Sequence, residues 1–276
     1  MGLLAAVLDT QPSSYWPLTD DDNGICHDQM QRNDASASSG AVKLAAIPFG
    51  DAGVPYFDGT IGCTLTVADA PQYSQDFANA LSVAAWICPF ALDNVRTTGK
   101  TDHFAHFIGK AIDSDTDAEW ALRLYNRTNP NRHSRCSFYT FNLTSAPGQG
   151  NLGNGAYMEP EASVNDAVPI EIGKWIFLVG QAEPWISDTD KTAGCLVFKQ
   201  GVQAVRTPGD KYESFHVHPQ HGTGPISIGG NSSSGFKGAI AHVAIWNRLL
   251  SSTEIDALWT AGQSELQSTP MYHSYA

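Results

Sequence analysis

The stretch ISIGGNSSSGFKGAIAHVAIWNRLLSSTEIDALW, residues 226–259, decides the fold of this chain. It contains two apolar segments, ISIG at 226–229 and AIAHVAIW at 239–246, which are separated by a turn rich in Gly and Ser. Apolar segments bounded by turn residues are typical of neighbouring antiparallel strands. We therefore predict a strand pair near the end of the chain.

A short helix is predicted directly after this strand pair. Ser251 and Glu254 form a capping box, because each side chain can bond the backbone N–H of the other residue. Gly262 is a typical helix stop signal. The pattern predicts a helix at 252–261, followed by a polar tail over 263–276.

The rest of the chain repeats the strand pattern with almost no helical periodicity. Short apolar or alternating segments are separated by turns rich in Gly, Asp and Asn, which predicts an all-β antiparallel sandwich. Residues 129–168 form a long insertion rich in Gly, Asn and Pro, with one strand predicted inside it. The clearest of the other segments are 81–89, 104–110, 120–125, 137–142, 174–182 and 195–199.

Composition and charge exclude several classes of function. With 16 Lys and Arg against 28 Asp and Glu, the net charge is −12, and there is no basic run to follow a phosphate backbone. We expect neither nucleic acid nor a membrane as a partner. The apolar run at 3–8 lacks a preceding basic residue and does not resemble a signal peptide. The five cysteines have no C-x-x-C spacing, so we interpret them mostly as small buried side chains.

Five motifs in order carry a family resemblance. They are AVLDTQPSSYWPLTDDDNG at 6–24, YFDG at 56–59, LSVAAWICPF at 81–90, GKWIFLVGQA at 173–182 and the stretch at 226–259. Together they resemble the laminin-G-like jelly roll of the concanavalin A-like lectin/glucanase superfamily, in the form found in tailed-phage structural proteins. The resemblance implies a two-sheet antiparallel jelly-roll sandwich with one short C-terminal helix, forming a single domain over 1–276 with its core at about 6–262.

The family's catalytic pattern is not present in the sequence. Glucanases of this superfamily carry acids spaced E-x-D-x-x-E on one strand, and the nearest match here is Glu159-Pro160-Glu161. Pro160 cannot donate to a sheet ladder, and the third acid is missing. We therefore predict that the chain is not an enzyme.

Metal binding is an open alternative at an acidic hairpin. Asp113, Asp115, Asp117 and Glu119 alternate along the chain, and hard oxygen ligands of this kind suit calcium. Weakly bound calcium and a plain solvated hairpin both fit this pattern. Where many relatives have a carboxylate that supports calcium, this chain has Ala241 and His242, so the resemblance implies that any bound calcium is weak.

Histidines cluster in one further segment. His216, His218 and His221 lie close together, which fits either a transition-metal site or a polar loop.

Three aromatic residues are the candidate ligand contacts. Six tryptophans fall in predicted strands or the helix and are expected in the core: Trp16, Trp86, Trp120, Trp175, Trp246 and Trp259. Trp185 lies in a turn-rich segment, where its ring could stack on a sugar or cap the sandwich. Tyr139 and Tyr157 lie in the insertion at 129–168. This insertion either carries the binding surface, extends the edge of the sheet or packs against a neighbouring subunit.

The function expected from these observations is binding rather than catalysis. The resemblance implies a virion protein of a tailed phage, associated with capsid or tail and exposing loops to a glycan or to the bacterial cell surface. Its partners would be capsid or tail proteins, with homo-oligomers as a further option. The alternative is an extracellular carbohydrate-binding module of a bacterial polysaccharide-degrading system.

Overall fold

The computed structural model describes residues 2–19, 23–38, 47–75, 79–93, 104–112, 117–129, 134–141, 153–157, 170–184, 195–200, 202–203 and 221–268. These residues form two α-helices and seventeen β-strands, with one short 3-10 turn at Pro71–Tyr73. The helices are α1 (Leu3–Asp9) and α2 (Ser252–Ser268). The strands are β1 (Ser14–Trp16), β2 (Ile25–Cys26), β3 (Ala35–Ala37), β4 (Ile47–Phe49), β5 (Ala52–Val54), β6 (Tyr56–Asp58), β7 (Leu65–Val67), β8 (Leu81–Pro89), β9 (Phe104–Lys110), β10 (Trp120–Tyr125), β11 (Cys136–Phe141), β12 (Gly153–Tyr157), β13 (Ile176–Ala182), β14 (Cys195–Lys199), β15 (Val202–Gln203), β16 (Ile226–Ile228) and β17 (Lys237–Trp246).

Two large antiparallel sheets form the sandwich. Sheet A has the strand order β1-β17-β8-β13-β14-β15, and β6 also pairs with β17. Sheet B has the order β12-β11-β10-β9-β16-β7-β3-β2. The first and last strands of the chain are neighbours, since Ser14 pairs with Ile245. The prediction of an all-β sandwich with one C-terminal helix is confirmed, and the insertion at 129–168 contributes β11 and β12.

The main core lies between the two sheets. Alternate residues of each strand point into it, including Val83 and Ile87 from sheet A and Leu122 and Phe138 from sheet B. The sheets approach closely at Gly180, where a Cβ atom would lie 2.3 Å from the ring of Phe138. All five cysteines are buried thiols, as the sequence predicts.

A second apolar layer covers the outer face of sheet A, which we call the covered face. Trp86, Phe177 and Trp246 of the sheet pack there against both helices and the hairpin of β4 and β5. The apolar run at 3–8 supplies α1, which buries Leu3 and Val7 in this layer. Neither helix of the described chain has the length and hydropathy that a membrane crossing requires.

The C-terminal helix begins as predicted but ends later. The Ser251 backbone N–H donates to the Glu254 carboxylate at 2.8 Å, and the Glu254 N–H donates to the Ser251 hydroxyl at 3.3 Å. The helix then continues through Gly262 to Ser268, so the predicted stop at 262 is wrong, and residues 263–268 are not a tail. Gly262 is a contact point instead, because a Cβ atom there would lie 2.2 Å from the buried ring of Trp86.

The six tryptophans predicted in the core fall into two groups. Trp16, Trp86, Trp120 and Trp246 are almost fully buried. Trp175 and Trp259 are partly buried and pack against the outer layer.

Candidate functional site

The outer face of sheet B has a different composition from the covered face. The inward residues of β9, β10 and β11, such as Phe107, Leu122 and Phe138, belong to the core. The residues between them alternate to the opposite side of the sheet. We call this surface the Arg123 face, and its residues are Phe104, His106, Ala121, Arg123, Tyr125, Ser137, Tyr139 and Phe141.

Aromatic rings surround the guanidinium of Arg123. Its Cζ atom lies 4.5 Å from the ring centroid of Phe104, 4.5 Å from that of Tyr139 and 4.9 Å from that of Phe141. Phe104 belongs to β9, whereas Tyr139 and Phe141 belong to β11, so the rings come from both strands beside β10. At such distances the ring faces attract the cation, and the rings in turn restrict its position.

Hydrogen bonding leaves one edge of this guanidinium available. The Arg123 Nε donates to Nε2 of His106 at 2.8 Å. Within the described part of the chain, no carboxylate lies within ion-pair distance of Arg123. Arg123 is also the only residue of β10 that is not fully buried. The N–H groups of Nη1 and Nη2 are therefore positioned to meet a ligand.

The acceptor of this hydrogen bond is itself held in place. Because Nε of an arginine always carries its proton, Nε2 of His106 must be the acceptor nitrogen. The His106 backbone N–H donates to the Ser234 hydroxyl at 3.4 Å, and the Ser234 N–H donates to Oδ1 of Asn231 at 2.6 Å. Asn231 is anchored in turn, since its amide donates to the Ile112 carbonyl at 2.7 Å. Hydrogen bonds thus connect the residue that accepts from Arg123 to Ser234, Asn231 and Ile112.

The structure brings two of the three predicted ligand contacts onto neighbouring strands. Tyr139 lies on the Arg123 face, but its ring is 1% exposed and the Arg123 guanidinium lies over it, so it is not the open stacking surface expected from the sequence. Tyr157 lies one strand farther along, and Ser137 pairs with both Arg123 and Tyr157. Trp185 lies outside the described residues.

The acidic hairpin is only partly described. Asp113 and Asp115 lie outside the described residues, whereas Asp117 and Glu119 are included. The Glu119 carboxylate accepts from Lys110 Nζ and, at 2.9 Å, from the Gly222 backbone N–H. Lys110 is fully buried and also pairs with Asp69 at 2.7 Å. Glu119 is thus committed to an internal ion pair rather than free for a metal at the hairpin tip.

Electrostatics differ between the two acids that contact Lys110. Burial raises the pKa of Glu119, although the nearby Lys110 opposes that change. Partial burial also acts to raise the pKa of Asp69, but hydrogen bonds and charge from Lys110 and His221 lower it overall. No group of three metal-ligating side chains occurs among the described residues, and calcium at the hairpin stays a prediction.

The predicted histidine cluster is represented by one residue. His221 lies 3.3 Å from the Asp69 carboxylate, while His216 and His218 lie outside the described residues. His242, at the position where relatives often carry an acid, is buried beneath Phe49 of β4, with a ring-centroid separation of 4.8 Å. Its Nδ1 contacts the Tyr15 hydroxyl at 2.6 Å, and burial lowers its pKa to about 3.

The comparison with known families decides the classification. The Laminin_G_3 family model, described as "Concanavalin A-like lectin/glucanases superfamily", matches residues 57–256, which is more than half of the chain. The chain belongs to this family. No curated protein matches its sequence.

Members of several functional classes share the fold. The binding domain of Paraclostridial mosquitocidal protein 1 aligns with a TM-score of 0.59 at 10% identity, covering 89% of this chain and 51% of that chain. Domain 4 of AbnA, a GH43 extracellular arabinanase from Geobacillus stearothermophilus, gives a TM-score of 0.53 at 14% identity, covering 90% and 97%. Trypanosoma rangeli sialidase gives 0.53 at 14% identity, covering 91% and 33%. This chain thus spans about half of the toxin domain and a third of the sialidase, and the likeness concerns the fold alone.

Proposed function

We propose that this chain is a non-catalytic glycan-binding module whose ligand contacts the Arg123 face. The observation that carries the proposal is Arg123 itself, which is partly exposed among three aromatic rings and has no carboxylate partner in the described chain. Sites for small polar ligands combine apolar and aromatic walls with a few fixed polar groups, and this face has both.

The side-chain chemistry of the face supports binding without catalysis. Glycoside hydrolysis in most families requires two carboxylates on either side of the scissile bond. None of the eight residues of the Arg123 face is an Asp or Glu. The acids Glu159 and Glu161 lie outside the described residues, and Pro160 between them opposes a place in a sheet interior.

The solved relatives lend further support. Domain 4 of AbnA was solved in complex with arabinotriose, and the mosquitocidal relative is a binding domain. Domain 4 of AbnA also suggests a second candidate function, because the alignment covers 97% of that domain. In that case the chain would be an extracellular carbohydrate-binding module of a bacterial polysaccharide-degrading system.

The finer proposal concerns where the module works. The sequence opens with AVL-x-x-x-P-x-x-Y-W at 6–16, which is similar to lectin-like structural proteins of tailed phages. We place the protein on the virion, attached to capsid or tail proteins and facing the bacterial cell surface. The proposed ligand contacts would then also include Trp185, the hairpin at 113–119 and the remainder of the insertion at 129–168, and calcium would bind weakly at the hairpin.

A matched pair of variants tests the position of the site. Phe141→Ala removes a partly exposed ring from the Arg123 face, and Phe90→Ala removes a partly buried ring that packs against the covered face. On an array of bacterial glycans, we expect Phe141→Ala to weaken binding about tenfold, as central interface aromatics do, and Phe90→Ala to leave it unchanged. The reverse result, or no glycan bound by the native chain, would contradict the proposal.

Mass spectrometry separates the two settings. Peptides of this chain should appear in gradient-purified virions at a stoichiometry similar to that of known capsid or tail proteins. If they are missing from virions while the purified chain still binds polysaccharide, the second candidate replaces the phage assignment.

A further inference from the structure

We propose that the sugar bound at the Arg123 face carries a carboxylate, as uronic and sialic acids do, and that this carboxylate pairs with Nη1 and Nη2 of Arg123. The inference rests on the proposed glycan-binding function and specifies its ligand class. The partly exposed ring of Phe141 would contact the body of the sugar, and the guanidinium would select the acid.

Arg123 lacks the charge compensation that several other cations of the chain have. The chain carries a net charge of −12, so acids greatly outnumber cations. Several described cations are paired with an acid: Lys110 with Glu119 and Asp69, Arg127 with Asp93, Lys174 with Glu171, and Arg248 with Glu254. Arg123 has no such partner despite its partial burial. An uncompensated cation on a rigid strand of an acidic protein is positioned to attract an anionic group.

The shape of the donor group gives a second reason to expect a carboxylate. Since Nε is used by His106, the donors that remain form the outer edge of the guanidinium, with one N–H from each terminal nitrogen side by side. Two parallel N–H donors match the two oxygens of a carboxylate. The hydrogen bond to His106 also fixes the orientation of this edge before the ligand arrives, which lowers the entropy lost on binding.

A third reason distinguishes a carboxylate from a sulfate or phosphate. A carboxylate is planar and can lie in the plane of the guanidinium. A tetrahedral anion would direct at least one oxygen out of that plane, and the nearby rings of Phe104 and Tyr139 have centroids 4.5 Å from Cζ. Aromatic faces carry partial negative charge and repel anionic oxygens. The arrangement therefore favours the planar anion.

The test uses the full chain and a panel of defined polysaccharides. Polygalacturonate, hyaluronan and polysialic acid supply carboxylates, carboxyl-reduced polygalacturonate removes them from the same backbone, and dextran and dextran sulfate supply the neutral and sulfated cases. Binding is measured by biolayer interferometry for the native chain, Arg123→Gln, Arg123→Lys and the control Arg127→Gln. Arg127 is 60% exposed and paired with Asp93, so its loss changes net charge equally without altering the face.

We expect at least one carboxylated polysaccharide to bind and its carboxyl-reduced or neutral counterpart to bind about 10- to 100-fold more weakly. Arg123→Gln should weaken binding of the carboxylated polysaccharide by the same factor. Arg123→Lys should weaken it less, because lysine keeps the positive charge but lacks the two parallel N–H donors. Arg127→Gln should bind like the native chain. Because the reduced polysaccharide requires no substitution, the result does not depend on the folding of a variant.

Four outcomes would overturn the inference, and they differ in what else they overturn. Equal binding of native and carboxyl-reduced polygalacturonate, or retained binding by Arg123→Gln, would refute acid selection while leaving glycan binding intact. Preference for dextran sulfate over every carboxylated polymer would show that the face selects sulfate. No binding to any polysaccharide would refute both this inference and the proposed function.

Discussion

The two outer faces of the sandwich are both formed by antiparallel strands, but they carry different side chains. On the covered face, Ala, Val, Phe and Trp side chains of sheet A meet two helices and a hairpin in a second apolar layer. On the Arg123 face, the central strands of sheet B carry a cation, a histidine and four other aromatic residues. The covered face contributes stability by burying apolar area. The Arg123 face instead carries a partly exposed charge, that of Arg123.

Under the proposed function, this difference would separate stability from recognition. A substitution on the covered face should reduce the free energy of unfolding without changing ligand preference. A substitution on the Arg123 face should change ligand preference with little effect on the free energy of unfolding. The predictions below test that separation, beginning with the largest expected effect.

The largest effect on stability is expected from Trp86→Ala. Trp86 is 2% exposed and packs against Phe49 and Phe177 at ring-centroid distances of 5.3 and 5.2 Å. Removing a buried ring of this size should lower the free energy of unfolding by about 3–5 kcal/mol. Phe141→Ala, which removes a partly exposed ring, should cost less than about 1.5 kcal/mol, well below that range. Urea denaturation measures both, and equal losses would contradict the contrast between the faces.

Lowering the pH should reduce the free energy of unfolding, because the buried ring of His242 resists protonation in the folded chain. The unfolded chain binds this proton near pH 6.5, whereas the folded chain binds it only near pH 3, because burial disfavours the charged ring. The unfolded state thus holds more protons between these values, and stability falls as pH falls. From pH 6.5 to 5 the loss should be about 2 kcal/mol.

His242→Asn provides the comparison for this pH effect. The residue has φ of 51°, a left-handed conformation that Asn tolerates well, and Asn has no proton to gain in this range. Between pH 6.5 and 5, the free energy of unfolding of the variant should therefore fall by about 2 kcal/mol less than that of the native chain. Parallel curves for the two chains would show that His242 is not the group responsible.

A smaller effect on stability is expected from Gly262→Ala, and its sign distinguishes a closely packed helix from an exposed one. In an exposed helix, replacing Gly with Ala stabilises by about 0.5–1 kcal/mol. Here the added Cβ would lie 2.2 Å from Trp86, so Gly262→Ala should destabilise by about 1–2 kcal/mol. Thr260→Ala, an exposed substitution on the same helix, serves as the control. Thermal melts that show a more stable Gly262→Ala variant would disprove close packing of α2 on Trp86.

Sequence patterns predicted the strands well where burial was continuous. The runs at 81–89, 104–110 and 120–125 match β8, β9 and β10 at both ends, because apolar residues bounded by turns define a buried strand without tertiary information. All nine residues of β8 are buried, because apolar layers lie on both sides of sheet A. We had no basis in the sequence for placing α1 on that side, and the short run at 3–8 was not interpreted as a helix.

The Arg123 face was harder to predict, since it depends on register between strands. In WALRLY at 120–125, Arg123 resembles any polar residue on the outer side of a strand. Its importance becomes visible only when Phe104 and Tyr139 are placed beside it from strands that lie far apart in sequence. Tyr139 was predicted as a ligand contact, and its burial under Arg123 could not be derived from alternation alone. Gly262 shows the same limit, because its close contact with Trp86 is a tertiary feature.

The central claim is that ligand binds the outer face of sheet B and not sheet A, and NMR chemical-shift mapping tests it most directly. Backbone amide spectra of the isotope-labelled chain would be recorded during titration with the oligosaccharide that binds best. The account predicts shifts at 104–110, 120–125 and 136–141, together with the Nε–H signal of Arg123, and no change at 81–89 or 237–246. Shifts concentrated on the strands of sheet A, or an unchanged Arg123 signal at saturation, would contradict it.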